Sequence, residues 1–102
     1  MKAITALIPP TKLVDVKDAV LALGIELMTV TSVMVCGPKS GGSEPGNGAS
    51  GEENFLNKTR IDIIVSDDRV EAAIAAIIRR SKNGKPGVGM IFTTEVPQLL
   101  TI

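Results

Sequence analysis

The sequence predicts an α+β domain, in which a four-stranded antiparallel sheet carries two helices on one face. Its length of 102 residues suits a single domain spanning 1–102. Strand-like and helix-like segments follow one another as β-α-β, a long polar segment, and β-α-β. Two β-α-β units joined in this way form the split β-α-β, or ferredoxin-like, arrangement.

The first unit begins with a strand over residues 2–8, where Ile4, Ala6 and Ile8 share one face and Pro9-Pro10 ends the run. Apolar residues at helical spacing then predict a helix over about 12–23. The members of this stripe are Leu13, Val16, Val20 and Leu23. Gly24 is the predicted C-cap. Residues 27–36, rich in Val, Thr and Met, have the composition of a strand.

A segment without any large apolar residue follows, from Gly37 to Glu53. Gly, Ser, Pro and charged residues fill it, so it cannot bury enough surface to order itself. It contains no Walker A sequence and does not lie between a strand and a helix. Taken alone, the segment is interpreted as a flexible linker.

The second unit begins with a strand over 57–66, in which Ile61, Ile63 and Val65 alternate with Arg60, Asp62 and Ile64. Ser66-Asp67-Asp68 predicts a helix start, and the helix extends to about Ser81. Its predicted buried residues are Val70, Ile74, Ile77 and Ile78. Residues 85–89 form either a tight turn or an anion-binding loop, and 90–96 form the last strand. Leu99, Leu100 and Ile102 make a short apolar tail.

Composition argues against several classes of function. The 11 basic and 11 acidic residues cancel, and Trp and Tyr are absent, so neither a positive field nor aromatic stacking platforms favour nucleic-acid binding. No signal peptide and no apolar run of roughly 20 residues is present, which predicts a cytoplasmic protein that does not insert into a membrane.

Catalytic and metal-binding patterns are missing as well. Histidine is absent, which removes the commonest general base and a frequent metal ligand. Cys36, the single cysteine, is interpreted as a strand residue rather than a reactive thiol, because free cysteines are usually buried. The pair Asp67-Asp68 fits a helix cap better than a catalytic dyad. We therefore predict a protein that is not an enzyme and has no metal site of its own.

Two helices on one face leave the other face of the sheet uncovered, and self-association is the natural way to cover it. The residues also match a known family. Met1-Lys2-Ala3-Ile4 with Pro9-Pro10, Met28-Thr29-Val30-Thr31, Phe55-Leu56-Asn57-Lys58 and Gly84–Phe92 occur in the order and spacing of the PII signal-transduction proteins. The sequence resembles this family along essentially its whole length.

This resemblance implies a homotrimer that binds an adenine nucleotide in clefts between subunits, often with Mg²⁺ and 2-oxoglutarate. It implies a T-loop at 37–55 that docks on a target protein (a transporter, enzyme or regulator of nitrogen or carbon metabolism) and a B-loop at 84–90. The implied ligand-binding residues are Thr29, Gly37, Lys39, Lys58, Ile64, Gly87, Val88 and Gly89. The implied partner-binding residues are Ser43, Glu44, Asn47, Ser50 and Glu52.

The sequence departs from the family's pattern where phosphate and metal should bind. Pro38 and Thr101 replace arginines, Met90 replaces a lysine, Val88 an acidic residue, and Lys39 a glutamine. Three lost charge-assisted hydrogen bonds would cost ~5–9 kcal/mol. ADP, AMP or bicarbonate are therefore expected rather than ATP, and Mg²⁺ and 2-oxoglutarate are not expected. Tyrosine uridylylation is excluded because the chain has no Tyr.

Two functional hypotheses follow. The first is a PII-like regulator that binds a small anionic effector between subunits and signals through loop 37–55, with Lys39, Lys58 and the backbone of 87–89 as contacts. Lys58 could instead be a solvated lysine at a strand end. The second hypothesis is a trimeric interaction module that works without a ligand because its nucleotide site has decayed.

Overall fold

The computed structural model describes residues 1–36, 55–82 and 89–102. Four strands and two helices form in the order β1 (Lys2–Ile8), α1 (Leu13–Ala22), β2 (Met28–Cys36), β3 (Phe55–Val65), α2 (Val70–Ser81) and β4 (Met90–Glu95). This confirms the predicted β-α-β, β-α-β order. The third strand begins at Phe55, two residues before its predicted start.

The strands form one antiparallel sheet in the order β2-β3-β1-β4. β1 lies in the interior, with Ile4 opposite Ile63 of β3 and opposite Thr93 of β4. On the other side of β3, Met28 of β2 also lies opposite Ile63. The sheet therefore has two edges, β2 and β4, and the ferredoxin-like fold class is confirmed.

The core lies between the two helices and one face of the sheet. Ile4 and Ile8 of β1 and Ile61 and Ile63 of β3 are at most 1% exposed. Alternate residues of a strand point to one face, so this face of the sheet meets the helices. From α1 it is covered by Val16 and Val20, which are fully buried. Leu13 and Leu23 pack at the margin of the same cluster, as the predicted stripe requires.

Each helix begins with a short 3₁₀ turn, over Pro10–Lys12 before α1 and Asp67–Arg69 before α2. In the second turn the backbone N–H of Arg69 donates to the carbonyl of Ser66 at 2.9 Å. Asp67 and Asp68 lie in this first turn, as predicted. The side chain of Ser66 makes no cap hydrogen bond to the turn, so the predicted side-chain cap is not formed there.

The prediction that Gly24 ends α1 is right to within one residue: the C-cap is Leu23, and Gly24 follows it. This residue has φ +82°, a conformation that side-chain-bearing residues rarely adopt. Its backbone N–H donates to the carbonyl of Leu21 at 3.0 Å, which closes the last turn of the helix.

The prediction that Ile78 is buried in α2 was wrong. Its side chain is 42% exposed, whereas Ala73 is fully buried and Ala76 is 8% exposed. The face of α2 that meets the core is thus built from Val70, Ala73, Ala76 and Ile77. Val70, Ala73 and Ile77 recur at helical spacing, and Ile78 lies one position past this stripe, so its side chain faces solvent.

β2 and β3 continue past the end of β1. The last residue of β1, Ile8, lies opposite Thr59, but β2 and β3 stay paired as far as Cys36 and Phe55. We call residues 33–36 with 55–58 the β2–β3 ribbon. The ribbon carries the two ends of the 37–54 segment away from the body of the domain.

Candidate functional site

The face of the sheet opposite the helices has no cover among the described parts of the chain. We call it the helix-free face; it is formed by the odd-numbered residues of β1 and β2 and the even-numbered residues of β3 and β4. Its large apolar side chains include Ile64, Met90 and Phe92, which are 37%, 56% and 47% exposed. An apolar sheet face of this kind is commonly buried by another element or another subunit.

Lys58 lies on the helix-free face, where β3 enters the ribbon, and faces Val33 across the pair of strands. Only 9% of this residue is exposed. Lysine side chains commonly bury their aliphatic stem while the ammonium group stays near water. The low exposure of the residue is compatible with both readings of Lys58, so its ligand-binding role stays a prediction.

A polar cluster occupies the middle of the same face. The Thr5 hydroxyl, in a residue 4% exposed, donates to Oδ1 of Asp62 at 2.6 Å. Nε of Arg60 donates to Oδ2 of Asp62 at 3.0 Å, and its Nη2 to Oδ1 at 3.3 Å. The carboxylate therefore receives hydrogen bonds on both oxygens.

Opposing influences act on the acidity of this carboxylate. Partial burial raises the pKa of Asp62, and this is the largest single influence. The hydrogen bonds from Arg60 and Thr5, with the positive charge of Arg60, together outweigh it. The pKa of Asp62 therefore lies below the ordinary carboxyl value, and Asp62 is an anion at neutral pH.

Thr29 and Ile64 lie beside this cluster. Thr29 of β2 is exposed and faces Asp62, and Ile64 is the next residue of β3 on the same face. Lys58 lies six residues from Ile64 along the strand, which corresponds to ~20 Å. One subunit therefore brings Thr29 and Ile64 together but leaves Lys58 apart from them.

Gly89, near the end of the predicted B-loop, lies close to Leu7 at the C-terminal end of β1. A Cβ atom on Gly89 would lie 2.7 Å from the carbonyl oxygen of Leu7, so only glycine fits there without a shift. The next residue, Met90, is paired with Leu7 and is exposed on the helix-free face. Gly89 thus has a packing role that does not depend on any ligand.

Several predicted site residues fall outside the described parts of the chain. They are the ligand-binding candidates Gly37, Lys39, Gly87 and Val88 and the partner-binding candidates Ser43, Glu44, Asn47, Ser50 and Glu52. The predicted T-loop, apart from Phe55, and the predicted B-loop up to 88 also fall there. Their assignments stay predictions.

Sequence reasoning missed the cluster of Thr5, Arg60 and Asp62 as a feature of the candidate site. The signal was present, because Arg60 and Asp62 occupy alternate positions between Ile61, Ile63 and Val65, which form the apolar half of the other face. Thr5 could not be added from the sequence, since it meets Asp62 only through the register of β1 with β3.

Cys36 is a residue of β2, as predicted, but it is exposed rather than buried. It is the last residue of β2, at the end of the β2–β3 ribbon, and it is not part of the hydrophobic core. Within 1–36, 55–82 and 89–102, no group of three or more His, Cys, Asp or Glu residues is placed to hold a metal ion. Neither described helix is long and apolar enough to cross a membrane.

Comparison with known proteins gives one consistent family. The family described as "Nitrogen regulatory protein P-II" matches residues 1–102. Among similar proteins, the nitrogen regulatory protein P-II of Cereibacter sphaeroides is 41% identical over 102 residues, covering 100% of this chain and 91% of the relative. The P-II protein of Klebsiella oxytoca and P-II 1 of Escherichia coli K12 are each 42% identical with the same coverage. The chain therefore belongs to the P-II family of nitrogen regulatory proteins.

Proposed function

We propose that this protein is a P-II signalling regulator that binds a small anionic effector between subunits and passes its state to a target protein through residues 37–55. Family membership over the whole chain supports the regulatory role. The observation that carries the effector proposal is the position of Lys58. It lies on the helix-free face of the sheet, and 9% of the residue is exposed. The ammonium group of a lysine in this position offers a positive charge to an anionic ligand.

The separation of the candidate ligand residues supports a site shared between subunits. Along the strand direction, Ile64 lies six residues from Lys58 and Thr29, which faces Asp62, lies four, or ~20 Å and ~13 Å. An effector as compact as bicarbonate cannot touch Ile64 and Lys58 in one subunit. Packing of helix-free faces in a homotrimer would bring residues of different subunits together, and the exposed Phe92 and Met90 support that packing.

The nature of the effector follows from what replaces the family's phosphate-binding residues. Met90 is an apolar side chain, 56% exposed, where the family pattern has a lysine. Without that lysine and the arginines at 38 and 101, a triphosphate would lack partners for its charge. ADP, AMP or bicarbonate, which need fewer cationic partners, fit the remaining residues better than ATP.

One observation favours a second candidate function, a trimeric interaction module that works without a ligand. Gly89 is explained by its close approach to Leu7, so its presence is no sign of a working nucleotide loop. In this alternative, residues 37–55 would bind the target constitutively.

Calorimetric titration with ADP, AMP, ATP, cyclic AMP, 2-oxoglutarate and bicarbonate, with and without Mg²⁺, separates the two proposals. We expect binding of ADP, AMP or bicarbonate that is lost in Lys58→Met and kept in Lys17→Met, a control on the exposed side of α1. An assembled trimer that binds none of these ligands would favour the interaction module.

The assembly is tested by native mass spectrometry of two matched variants. Phe92 and Ile78 are 47% and 42% exposed, but only Phe92 lies on the helix-free face. We expect Phe92→Asp to yield monomers and Ile78→Asp to leave the mass of the assembly unchanged. The reverse result would place the interface on the helices and contradict the proposed shared site.

A further inference from the structure

The 11 basic and 11 acidic residues cancel in number, but the fold separates them in space. We call the end of the domain from which the β2–β3 ribbon projects the ribbon end. β1 ends there, because Ile8 lies opposite Thr59 at the base of the ribbon. α2 begins after Val65, which lies opposite Lys2, and β4 begins opposite Leu7. α2 therefore runs back to the ribbon end.

Basic residues gather at the ribbon end. Arg79 and Arg80 lie in the last turn of α2, and Lys82 is its C-cap. All three residues are exposed, and no carboxylate of the described residues forms an ion pair with them. Lys12 lies at the same end, in the turn that leads from β1 into α1. The nearest acidic residue along α1 is Asp15.

The opposite end of the domain is acidic. The start of α2, the connection between α1 and β2 and the end of β4 carry Glu26, Asp67, Asp68, Glu71 and Glu95. Of the basic residues there, Lys2 pairs with a carboxylate and Arg69 binds the carbonyl oxygen of Leu23. Residues 37–54 contain three glutamates and one lysine, and 83–88 contain one lysine, so the ribbon end keeps an excess of basic residues.

The helix dipole explains only part of this arrangement. Cations at the C-terminal end of a helix are stabilised by its partial negative charge, which accounts for Arg79 and Arg80. Lys12 is the N-cap of α1, where the same effect disfavours a cation. A partner with negative charge would explain why both kinds of position are basic.

Exposed apolar side chains lie on the ribbon, beyond these cations. Met34 and Phe55, on the helix side of the ribbon, are 67% and 46% exposed, and Leu56, on the helix-free side, is 54% exposed. The ribbon extends four residues past the end of β1, or about 13 Å. Because both of its faces carry apolar residues, fluid lipid suits the ribbon better than a single pocket on a rigid protein.

We propose that the ribbon end binds the surface of an anionic lipid bilayer, with the ribbon among the lipids and the cations against their headgroups. Amphipathic helices on membranes bury their apolar face about 5–10 Å deep, which is within the length of the ribbon. Each Lys or Arg near such a surface raises affinity about fivefold. The protein lies on the membrane and does not cross it. This proposal goes beyond the proposed function and does not depend on the effector.

Flotation with lipid vesicles tests the role of charge. The purified protein is mixed at low ionic strength with vesicles of phosphatidylcholine, alone or with an equal part of phosphatidylglycerol. We expect binding to the anionic vesicles only, weakened by added salt. In Arg79→Gln/Lys82→Gln we expect affinity to fall about 30-fold.

The matched control is Lys2→Gln/Lys17→Gln, which changes the net charge equally at residues outside the ribbon end. It should bind the anionic vesicles like the parent protein. Equal losses in the two double variants would mean that only the net charge matters, which would overturn the proposal. Far-UV circular dichroism of both variants checks that they are folded.

A tryptophan on the ribbon tests how deeply it enters the lipid. The chain has no Trp, so Phe55→Trp and Leu21→Trp each carry a single fluorophore. Leu21 is 48% exposed and lies near the end of α1, far from the ribbon. We expect anionic vesicles to shift the emission of Phe55→Trp to shorter wavelength and lipids brominated in their acyl chains to quench it, with no change in Leu21→Trp. Binding without quenching at position 55 would overturn the proposal.

A soluble polyglutamate peptide separates lipid from an acidic protein as the partner. Binding of this peptide, lost in Arg79→Gln/Lys82→Gln, together with no binding to vesicles would mean that the partner is an acidic protein and that the proposal is wrong. Binding of neither probe would also overturn it. Titration with small anions is read separately from vesicle binding, so failure here is distinguishable from failure of the proposed function.

Discussion

The guanidinium group of Arg69 donates a hydrogen bond to the carbonyl oxygen of Leu23, with 2.7 Å between Nη1 and the oxygen. Leu23 is the C-cap of α1, and Arg69 lies in the turn that begins α2. The carbonyl groups at the end of a helix lack partners within the helix and carry partial negative charge. A cation from the second β-α-β unit thus closes the helix of the first.

Replacement of Arg69 is expected to weaken the contact between the two units. Arg69→Met keeps the aliphatic stem but removes the donor, and because the site is exposed we expect a loss of about 1 kcal/mol in the free energy of unfolding. Urea denaturation followed by circular dichroism measures it. Arg79→Met, at an exposed position in the last turn of α2, is the control and should change stability less. Equal losses would mean that the bond to Leu23 has no specific role.

The two glycines with tight surroundings should respond differently to substitution. Gly24 needs its positive φ, whereas Gly89 needs the space beside the carbonyl oxygen of Leu7. We expect each alanine variant to lose about 1–3 kcal/mol in the free energy of unfolding. Asparagine tolerates the conformation of Gly24 better than alanine does, but its Cβ would meet the same obstacle at position 89.

The measurement is thermal and urea unfolding of the four variants Gly24→Ala, Gly24→Asn, Gly89→Ala and Gly89→Asn. Partial recovery by asparagine at 24 but not at 89 is the expected pattern. A Gly89→Ala variant as stable as the parent protein would show that β4 moves away from Leu7 at little cost. The packing explanation for this glycine would then be wrong.

Acid should destabilise the fold partly through Asp62. Its pKa is lowered in the folded protein, so its contribution to stability is complete above the ordinary carboxyl pKa and is lost as the pH falls through the lower, folded value. We expect Asp62→Asn to flatten the decline of stability at the acid end of the titration. Thr5→Val removes one donor and should raise the pKa of Asp62 toward its ordinary value.

Urea unfolding midpoints between pH 7 and pH 2.5 check this prediction, with Asp18→Asn as an exposed control on α1. A parent protein and an Asp62→Asn variant with parallel pH profiles would contradict it. Direct titration of the Asp62 carboxyl carbon by NMR gives the sign of the shift independently of stability.

Individual residues show which features of the fold can be predicted from the sequence. The alternation of Ile61, Ile63 and Val65 predicted the buried face of β3, because strand geometry imposes a period of two on any half-buried strand. Ile78 was assigned wrongly, because helical spacing admits more than one stripe and the sequence does not tell that Ala73 and Ala76 face the sheet.

The candidate site was less predictable because it depends on contacts between distant parts of the chain. The bond between Thr5 and Asp62 follows from the register of β1 with β3. Cys36 is exposed because β2 and β3 extend beyond β1, a difference in strand length that composition alone does not give. The local sequence pattern predicts which face of a strand is buried, whereas the pairing of strands determines which polar side chains come into contact.

Restoring a basic residue at position 90 should increase affinity for ATP more than for AMP. Met90 is exposed on the helix-free face, next to Gly89, so a lysine there needs no rearrangement of the core. A hydrogen bond to a charged group contributes about 1.5–3 kcal/mol, which corresponds to a gain of roughly 10- to 150-fold in affinity. The β- and γ-phosphates of ATP offer such a partner, and AMP lacks them.

Calorimetry of Met90→Lys with ATP, ADP and AMP measures the selectivity, and Met90→Gln is the control because it adds polarity without charge. Thr101→Arg in addition should raise the ATP affinity further, since the family pattern has an arginine there. Equal gains for all three nucleotides would mean that position 90 lies away from the β- and γ-phosphates. No gain in either variant would show that these losses do not explain the expected preference for smaller anions, which would then need a cause elsewhere in the cleft.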